Sequence, residues 1–94
     1  MKTAYPVIFK KTQRGYIAHV PDMDIDTQGR NLRHTIAMAA DAISLMGVCL
    51  EDDMGKPIPS PSPIKTVEHD ADDLVQLVDV DFDAYRRMLM DKKL

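Results

Sequence analysis

Hydrophobic and polar residues alternate through the first third of the chain, which is typical of β-strands with one buried face. Tyr5, Val7 and Phe9 fall on the same face, and Gly15 follows in a segment that predicts a hairpin turn. The pattern predicts strands at residues 4–11, 16–20 and 25–28. Because short turns separate these strands, we predict an antiparallel meander. Pro6 lacks an N–H donor, so we place it at a strand start or a sheet edge.

Beyond Gly29 the apolar residues recur at a helical spacing of about 3.6. The apolar stripe comprises Leu32, Ile36, Ala39, Ala40, Ile43, Met46 and Leu50. Asn31 is placed to cap the first turn with its side-chain oxygen. We predict that Asp41 and Ser44 lie on the solvent side and that Gly55 ends the helix.

The second half of the chain begins with alternate prolines in residues 56–63, namely Pro57, Pro59, Pro61 and Pro63. Such spacing favours an extended polyproline-II segment that tethers two elements. Residues 74–80 are rich in β-branched side chains and apolar on both faces, which predicts a central strand. A short helix is predicted from about residue 82, with Arg86 and Arg87 exposed.

The resulting order is β-β-β-α-β-α, which predicts an α+β fold in one domain covering residues 1–94. The long helix is a crossover between strands, so we predict that the last strand lies parallel to the first, joined by a right-handed connection. One long helix covers one face of the sheet. We therefore expect the other face to meet a second subunit or a partner.

Composition narrows the class of protein further. The chain has 94 residues, 45% of them hydrophobic and 29% charged, with a formal net charge of −3. It lacks the basic excess expected of a nucleic-acid-binding domain. We recognise no apolar run long enough to span a bilayer and no leader peptide. Cys49 is the single cysteine, which excludes an intramolecular disulfide and fits a reducing cytosol. We expect a cytoplasmic protein without a membrane partner, and its small core favours a homo-oligomer.

Asp22, Asp24 and Asp26 are the candidate ligands of a catalytic metal site. Carboxylates projecting to one side of a sheet hold Mg²⁺ in metal-dependent nucleases. In the simpler interpretation, which we favour, Asp22 caps a turn and the other two are solvated beside an exposed edge strand.

Other chemistry-bearing residues form no recognisable pattern. The histidines, His19, His34 and His69, are scattered, and Cys49 has no cationic neighbour in its own helical turn. Arg30, Arg33 and His34 form a small basic spot at the helix start. We predict no catalytic residue, metal or cofactor, and therefore no enzyme.

An ordered set of motifs between residues 4 and 62 resembles the HicB antitoxin family. The matching pieces are residues 5–9, 15–16, 20–22, 27–29, 51–53 and 55–62. Single pieces such as Thr27-Gln28-Gly29 are weak signals, whereas the whole set in this order is specific. Residues 78–87 also look like the linking segment of a longer branch of that family.

This resemblance implies a truncated ribonuclease-H-like fold without ribonuclease activity. It also implies a partner, a HicA-like toxin that cleaves mRNA with a histidine. Many family members associate as dimers or larger assemblies and repress their own operon through a C-terminal DNA-binding module. The sequence ends at Leu94, where the longer branch continues into that module, so we do not expect these residues to bind DNA directly. A shortened or stand-alone regulator is the alternative.

Two departures from the family pattern affect the choice of partner. Asp24-Ile25-Asp26 stands where Pro-Gly-Cys is common, and Arg33 and His34 stand where acids are usual. A toxin that grips RNA is basic, so an acidic domain can compete for its surface. The residues expected to bind the toxin are Tyr16, Asp22, Asp24, Asp26, Asp52 and Asp53.

Overall fold

The structure is a computed structural model that describes residues 2–91, and it contains the predicted elements in the predicted order. The strands are β1 (Lys2–Lys11), β2 (Tyr16–Val20), β3 (Ile25–Gly29) and β4 (Leu74–Asp81). The helices are α1 (Leu32–Val48) and α2 (Phe82–Asp91), with a π-helical turn at Cys49–Asp53 and a 3-10 turn at Ile64–Thr66. The predicted α+β class, with a long helix and an antiparallel sheet, is confirmed.

The core lies between α1 and one face of the sheet. Tyr5, Val7 and Phe9 are each no more than 1% exposed, as their alternation on β1 predicts. Ala39 and Ile43 of α1 are fully buried in the same cluster. Burial of each large apolar side chain stabilises the fold by about 1.5–3 kcal/mol.

The start of α1 is fixed by side-chain capping and by close packing on β3. Asn31 Oδ1 accepts a hydrogen bond of 2.8 Å from the backbone N–H of His34, as predicted. A Cβ atom on Gly29 would lie 2.5 Å from Thr35 Oγ1, so only glycine lets β3 approach the first turn this closely. The prediction for Ser44 was wrong: this residue is 7% exposed, and its Oγ donates to the carbonyl of Ala40. That bond satisfies a hydroxyl which would otherwise be costly to bury.

The predicted direction of the last strand was wrong. β4 pairs antiparallel with β1, from Leu74 opposite Phe9 to Asp81 opposite Lys2. The segment after α1 passes Asp22 and then reaches Lys10, near the far end of β1, before β4 begins. The helix therefore does not cross over directly into β4, and the rule for parallel connections does not apply.

The strand order is β3-β2-β1-β4, so β4 is an edge strand and not the central strand that its composition predicted. Leu74 and Leu77 are 41% and 47% exposed. Pro6 is buried in the middle of β1 and not at a strand start, but β1 has a strand on one side only at this position, which agrees with the predicted edge. β2 pairs with β1 only through residues 8–11, so the missing N–H of Pro6 interrupts no ladder on that side.

The face of the sheet opposite α1 keeps exposed apolar side chains within residues 2–91. Ile17, which pairs with Lys10 and Gln28, is 41% exposed, and Leu77 lies on the same face. A second subunit or a partner on this face stays a prediction.

Candidate functional site

The three aspartates between residues 22 and 26 have different surroundings. Asp22 lies in the turn between β2 and β3 and accepts two hydrogen bonds from Ser62, one from the backbone N–H at 2.9 Å and one from Oγ at 2.5 Å. Asp24 is exposed in the same turn with a φ of 50°. Asp26 on β3 lies 2.7 Å from Nδ1 of His19. The carboxylates therefore do not project together from one strand.

A metal-dependent nuclease needs several carboxylates that converge on one point. Within residues 2–91, no group of three or more His, Cys, Asp or Glu side chains is placed to hold a metal ion. The two hydrogen bonds that Asp22 accepts come from Ser62, 40 residues away, and not from the backbone of its own turn, so they do not support the turn-capping interpretation. Asp26 instead forms a cross-strand pair with His19, which the scattered positions of the histidines did not predict.

Asp52 and Asp53 lie in the π-helical turn that extends α1. Arg86 of α2 donates to Glu51, to Asp52 at 3.0 Å and to Asp83 at 3.1 Å. The hydrogen bond to Asp52 contributes most to a raised pKa of the Arg86 guanidinium, and Glu51 raises this pKa further. The cluster offsets the unfavourable position of acids at the negative end of a helix.

Arg86 was therefore predicted wrongly as a simply exposed residue, since its side chain is only 25% exposed. The spacing of acids along α1 gave no signal for this contact, because Arg86 lies 34 residues beyond Asp52. Asp53 is exposed at the end of the same turn.

Tyr16 is half-buried at the start of β2 and packs against the core. It also lines an open groove of about 690 Å³ at the hairpin end of the sheet, together with Arg14, Gln28, Arg30 and His34. We call this the hairpin groove. Tyr16 belongs to β2, whereas Asp52 and Asp53 belong to the π-helical turn. The predicted partner-binding residues therefore do not all lie on one element.

The outward face of α1 is a candidate surface that the sequence prediction missed. Arg33, Ala37, Met38, Asp41 and Leu45 are exposed along it, and of these only Arg33 and Asp41 are charged. Met38 and Leu45 are 38% and 47% exposed. A helix that lies on a sheet usually turns a polar face to solvent, so an apolar outward face indicates contact with another molecule. The signal was present in the sequence, because few polar residues interrupt the helix.

The helical stretch Leu32–Asp53 also has the length and mean hydropathy, 1.2, of a helix able to cross a membrane. Length and composition are weak evidence, since the core helix of a soluble protein passes the same test. Here Ala39 and Ile43 pack onto the sheet, which accounts for much of the apolar character.

Comparison with solved structures identifies the class of fold. The chain superimposes on a chain of the "Toxin-Antitoxin complex from Streptococcus pneumoniae" with a TM-score of 0.71 and 24% identity, covering 90% of this chain and 73% of the other. It superimposes on a chain of the "HicA3 and HicB3 toxin-antitoxin complex" with a TM-score of 0.69 and 23% identity, covering 84% and 99%. No protein-family profile and no curated protein sequence matches the chain. The protein therefore has a fold that occurs in toxin–antitoxin complexes.

Proposed function

We propose that this protein is the antitoxin of a type II toxin–antitoxin system and that it binds and neutralises a HicA-like, mRNA-cleaving toxin. The observation that carries the proposal is the fold shared with chains from two toxin–antitoxin complexes. The HicB-like motifs in residues 4–62 supply independent support, because they are a property of the sequence and not of the fold.

The antitoxin is the more suitable of the two roles on electrostatic grounds. A protein that grips and cleaves RNA neutralises phosphates with lysine and arginine. This chain has a net charge of −3 and a pI of about 5.4. We also propose a truncated ribonuclease-H-like relationship, a homo-oligomeric state, a cytoplasmic location and the absence of enzymatic activity. The separated positions of Asp22, Asp24 and Asp26 favour binding over Mg²⁺-dependent cleavage.

The proposed mechanism of binding combines an apolar anchor with surrounding charge. The exposed side chains of Met38 and Leu45 supply apolar area, and apolar contacts at the centre of an interface contribute most of the affinity. Among the predicted acids, Asp24 and Asp53 are exposed, whereas Asp22, Asp26 and Asp52 already have partners in this chain. Exposed acids would attract a basic toxin and speed its association.

Binding to a purified HicA-like toxin by isothermal titration tests the apolar anchor. Leu45→Glu places a carboxylate in the proposed interface, and we expect affinity to fall at least about tenfold because an unpaired buried charge is costly. Leu74→Glu, on the exposed edge strand, is the matched control. Loss of affinity in both variants alike, or in neither, would contradict the assignment of α1 as the anchor.

The acids are tested separately in the same assay. The double variant Asp24→Lys/Asp53→Lys should bind more slowly and with a weaker dependence on salt than the unchanged protein, while Asp72→Lys serves as a control. Unchanged affinity and unchanged salt dependence would remove these carboxylates from the interface. If no HicA-like toxin is neutralised by the unchanged protein, the proposed function itself is wrong.

A further inference from the structure

Basic residues are concentrated in one part of this acidic protein. Residues 1–21 and 27–40 contain no aspartate or glutamate. The same two stretches hold six of the chain's twelve lysines and arginines, namely Lys2, Lys10, Lys11, Arg14, Arg30 and Arg33. These charges can bind one ligand together only if the fold brings them to the same part of the surface.

The structure brings four of them to the hairpin end of the sheet. Lys11 pairs across the sheet with Tyr16, and Tyr16 pairs with Gly29 next to Arg30. The hairpin turn also packs on that corner, since a Cβ atom on Gly15 would lie 2.1 Å from the carbonyl oxygen of Gly29. We call the set Lys11, Arg14, Arg30 and Arg33 the basic corner.

The charges of the basic corner are not neutralised within the described chain. Each of the four side chains is exposed, and none forms an ion pair with a carboxylate of residues 2–91. Carboxylates do approach neighbouring residues, but Asp26 is paired with His19, while Asp70 and Asp73 are paired with Lys10. Arg14 and Arg30 line one groove without a counter-charge, and the exposed Lys11 and Arg33 lie next to its lining residues in the chain, which favours an anionic ligand.

The lining of the hairpin groove has the chemistry for such a ligand. It is lined by the guanidinium-bearing residues Arg14 and Arg30, by the amide of Gln28, and by the rings of Tyr16 and His34. His34 Nδ1 accepts a 3.1 Å hydrogen bond from the Arg30 backbone N–H, which fixes the imidazole against the groove wall. Asn31 already caps the first turn of α1, so the groove offers a ligand side chains and not a free helix terminus.

We propose that the hairpin groove binds a short segment of single-stranded RNA. Arg14 and Arg30 contact phosphates, and the ring of Tyr16 offers a surface on which a base stacks. Single-stranded RNA is recognised by this combination of cations with aromatic and guanidinium planes. An acidic peptide would use the arginines but gain little from the aromatic ring, so the lining favours RNA.

The expected salt dependence follows from the number of cations. Three or four phosphate contacts to a single strand predict a slope of log K against log salt of about −2 to −3. Binding is measured by fluorescence anisotropy with the full chain alone and a labelled RNA of about eight nucleotides, in the range of site sizes common for single-stranded binders. No toxin is present, so failure of this experiment is independent of failure of the proposed antitoxin function.

The double variant Arg14→Gln/Arg30→Gln should lose at least about tenfold in affinity, and its slope should become shallower by about 1.4. Arg87→Gln, an exposed arginine on α2, is the matched control and should bind like the unchanged protein. Tyr16→Phe should retain binding, whereas Tyr16→Leu should weaken it about threefold or more because the stacking surface is lost. Thermal unfolding of each variant separates loss of binding from loss of folding.

Several outcomes would overturn the proposal. The unchanged protein must bind RNA at about 50 mM salt, where phosphate contacts are strongest. A poly-glutamate peptide that displaces RNA at equal charge concentration would assign the groove to an acidic protein. Tighter binding to duplex DNA of the same length would assign it to a duplex, and equal loss in the Arg87→Gln control would remove the groove as the binding site.

Discussion

Tyr5 connects the core to the proline-rich segment through two parts of one side chain. Its ring is 1% exposed and meets Phe82 edge to face, with 6.3 Å between ring centroids. Its hydroxyl donates a 2.6 Å hydrogen bond to the carbonyl of Pro59, 54 residues away. Burial raises the pKa of the Tyr5 hydroxyl, with a smaller contribution from the negative charge of Asp22. The hydroxyl therefore stays protonated and keeps donating to Pro59 at neutral pH.

Removal of the Tyr5 hydroxyl should weaken the attachment of the proline-rich segment and leave the packing of the core unchanged. We expect Tyr5→Phe to lower the free energy of unfolding by about 1 kcal/mol, because the Pro59 carbonyl loses its donor. Tyr16→Phe is the control and should change stability by less than about 0.5 kcal/mol. Urea denaturation measures both variants, and an equal effect on the two would show that the bond to Pro59 contributes nothing specific.

The inward ring of Tyr5 follows from its alternation with Val7 and Phe9, so its burial was predictable from sequence. The hydroxyl's partner was not predictable, because Pro59 lies in a segment without periodicity. The same contrast holds for Asp22, whose turn position could be inferred from Pro21 and Asp22 together, whereas its bonds to Ser62 depend on the tertiary path.

At the scale of elements, α1 and α2 pack so closely that their contact cannot accommodate one more methyl group. A Cβ atom on Gly47 would lie 2.2 Å from Cε1 of Phe82. Phe82 is 1% exposed, so its ring has little freedom to move away. The glycine thus allows α2 to lie directly against α1, next to the turn that carries the acids bound by Arg86.

Gly47→Ala should destabilise the protein even though alanine favours helices by about 1 kcal/mol. Overpacking in a filled core costs about 1–3 kcal/mol, and the net loss should be visible as a lower denaturation midpoint. Phe82→Leu, which makes room for the added methyl group, should relieve part of this loss in the double variant. Strictly additive effects of the two substitutions would contradict a direct steric conflict.

Both helices were predictable, and Gly55, with a φ of 64°, follows the end of the helical stretch as predicted, but the π-helical turn after α1 was not predictable. The apolar spacing of α1 and the Asn31 cap determined the start. The helix continues as a π-helical turn into Glu51 and Asp52, where the sequence offers only an unfavourable cluster of acids. Their stabilising partner comes from α2, more than thirty residues later. Contacts of such long range are not encoded in local periodicity.

At the scale of the whole molecule, the path between α1 and β4 determines the topology of the sheet. The segment is anchored by Tyr5 at Pro59, by Asp22 at Ser62 and by Lys10 at Asp70 and Asp73. Hydrogen bonds to these last two carboxylates, chiefly to Asp70, raise the pKa of the Lys10 ammonium group. Because of these contacts, β4 begins beside the C-terminal end of β1 and runs antiparallel to it.

The pair formed by Asp22 and Ser62 should couple two parts of the fold that are 40 residues apart. We expect Asp22→Ala to cost about 1.5–2 kcal/mol, since it removes a charged acceptor of two hydrogen bonds. Ser62→Ala removes only the hydroxyl and should cost about 1 kcal/mol. A double-mutant cycle by chemical denaturation should show the double variant to be less destabilised than the sum, and Asp24→Asn is a control for the turn.

The strands were predictable because the alternation of apolar and polar residues shows which face of each strand is buried. The sequence prediction misjudged the direction and the edge position of β4, because both depend on eighteen or so residues that lack any apolar period. The candidate residues were identified by their chemistry alone. The sequence could not show that Asp22, Asp26 and Asp52 are engaged within the chain, or that Arg14 and Arg30 meet beside Tyr16.

The basic corner is a local patch of exposed positive charge on a protein whose formal net charge is −3. Such a patch orients a molecule in the field of an approaching partner before the two surfaces touch. A polyanion would turn the hairpin end toward itself, whereas a cationic protein would be repelled from it. The two kinds of partner would therefore arrive from different directions, and neither would need to displace the other.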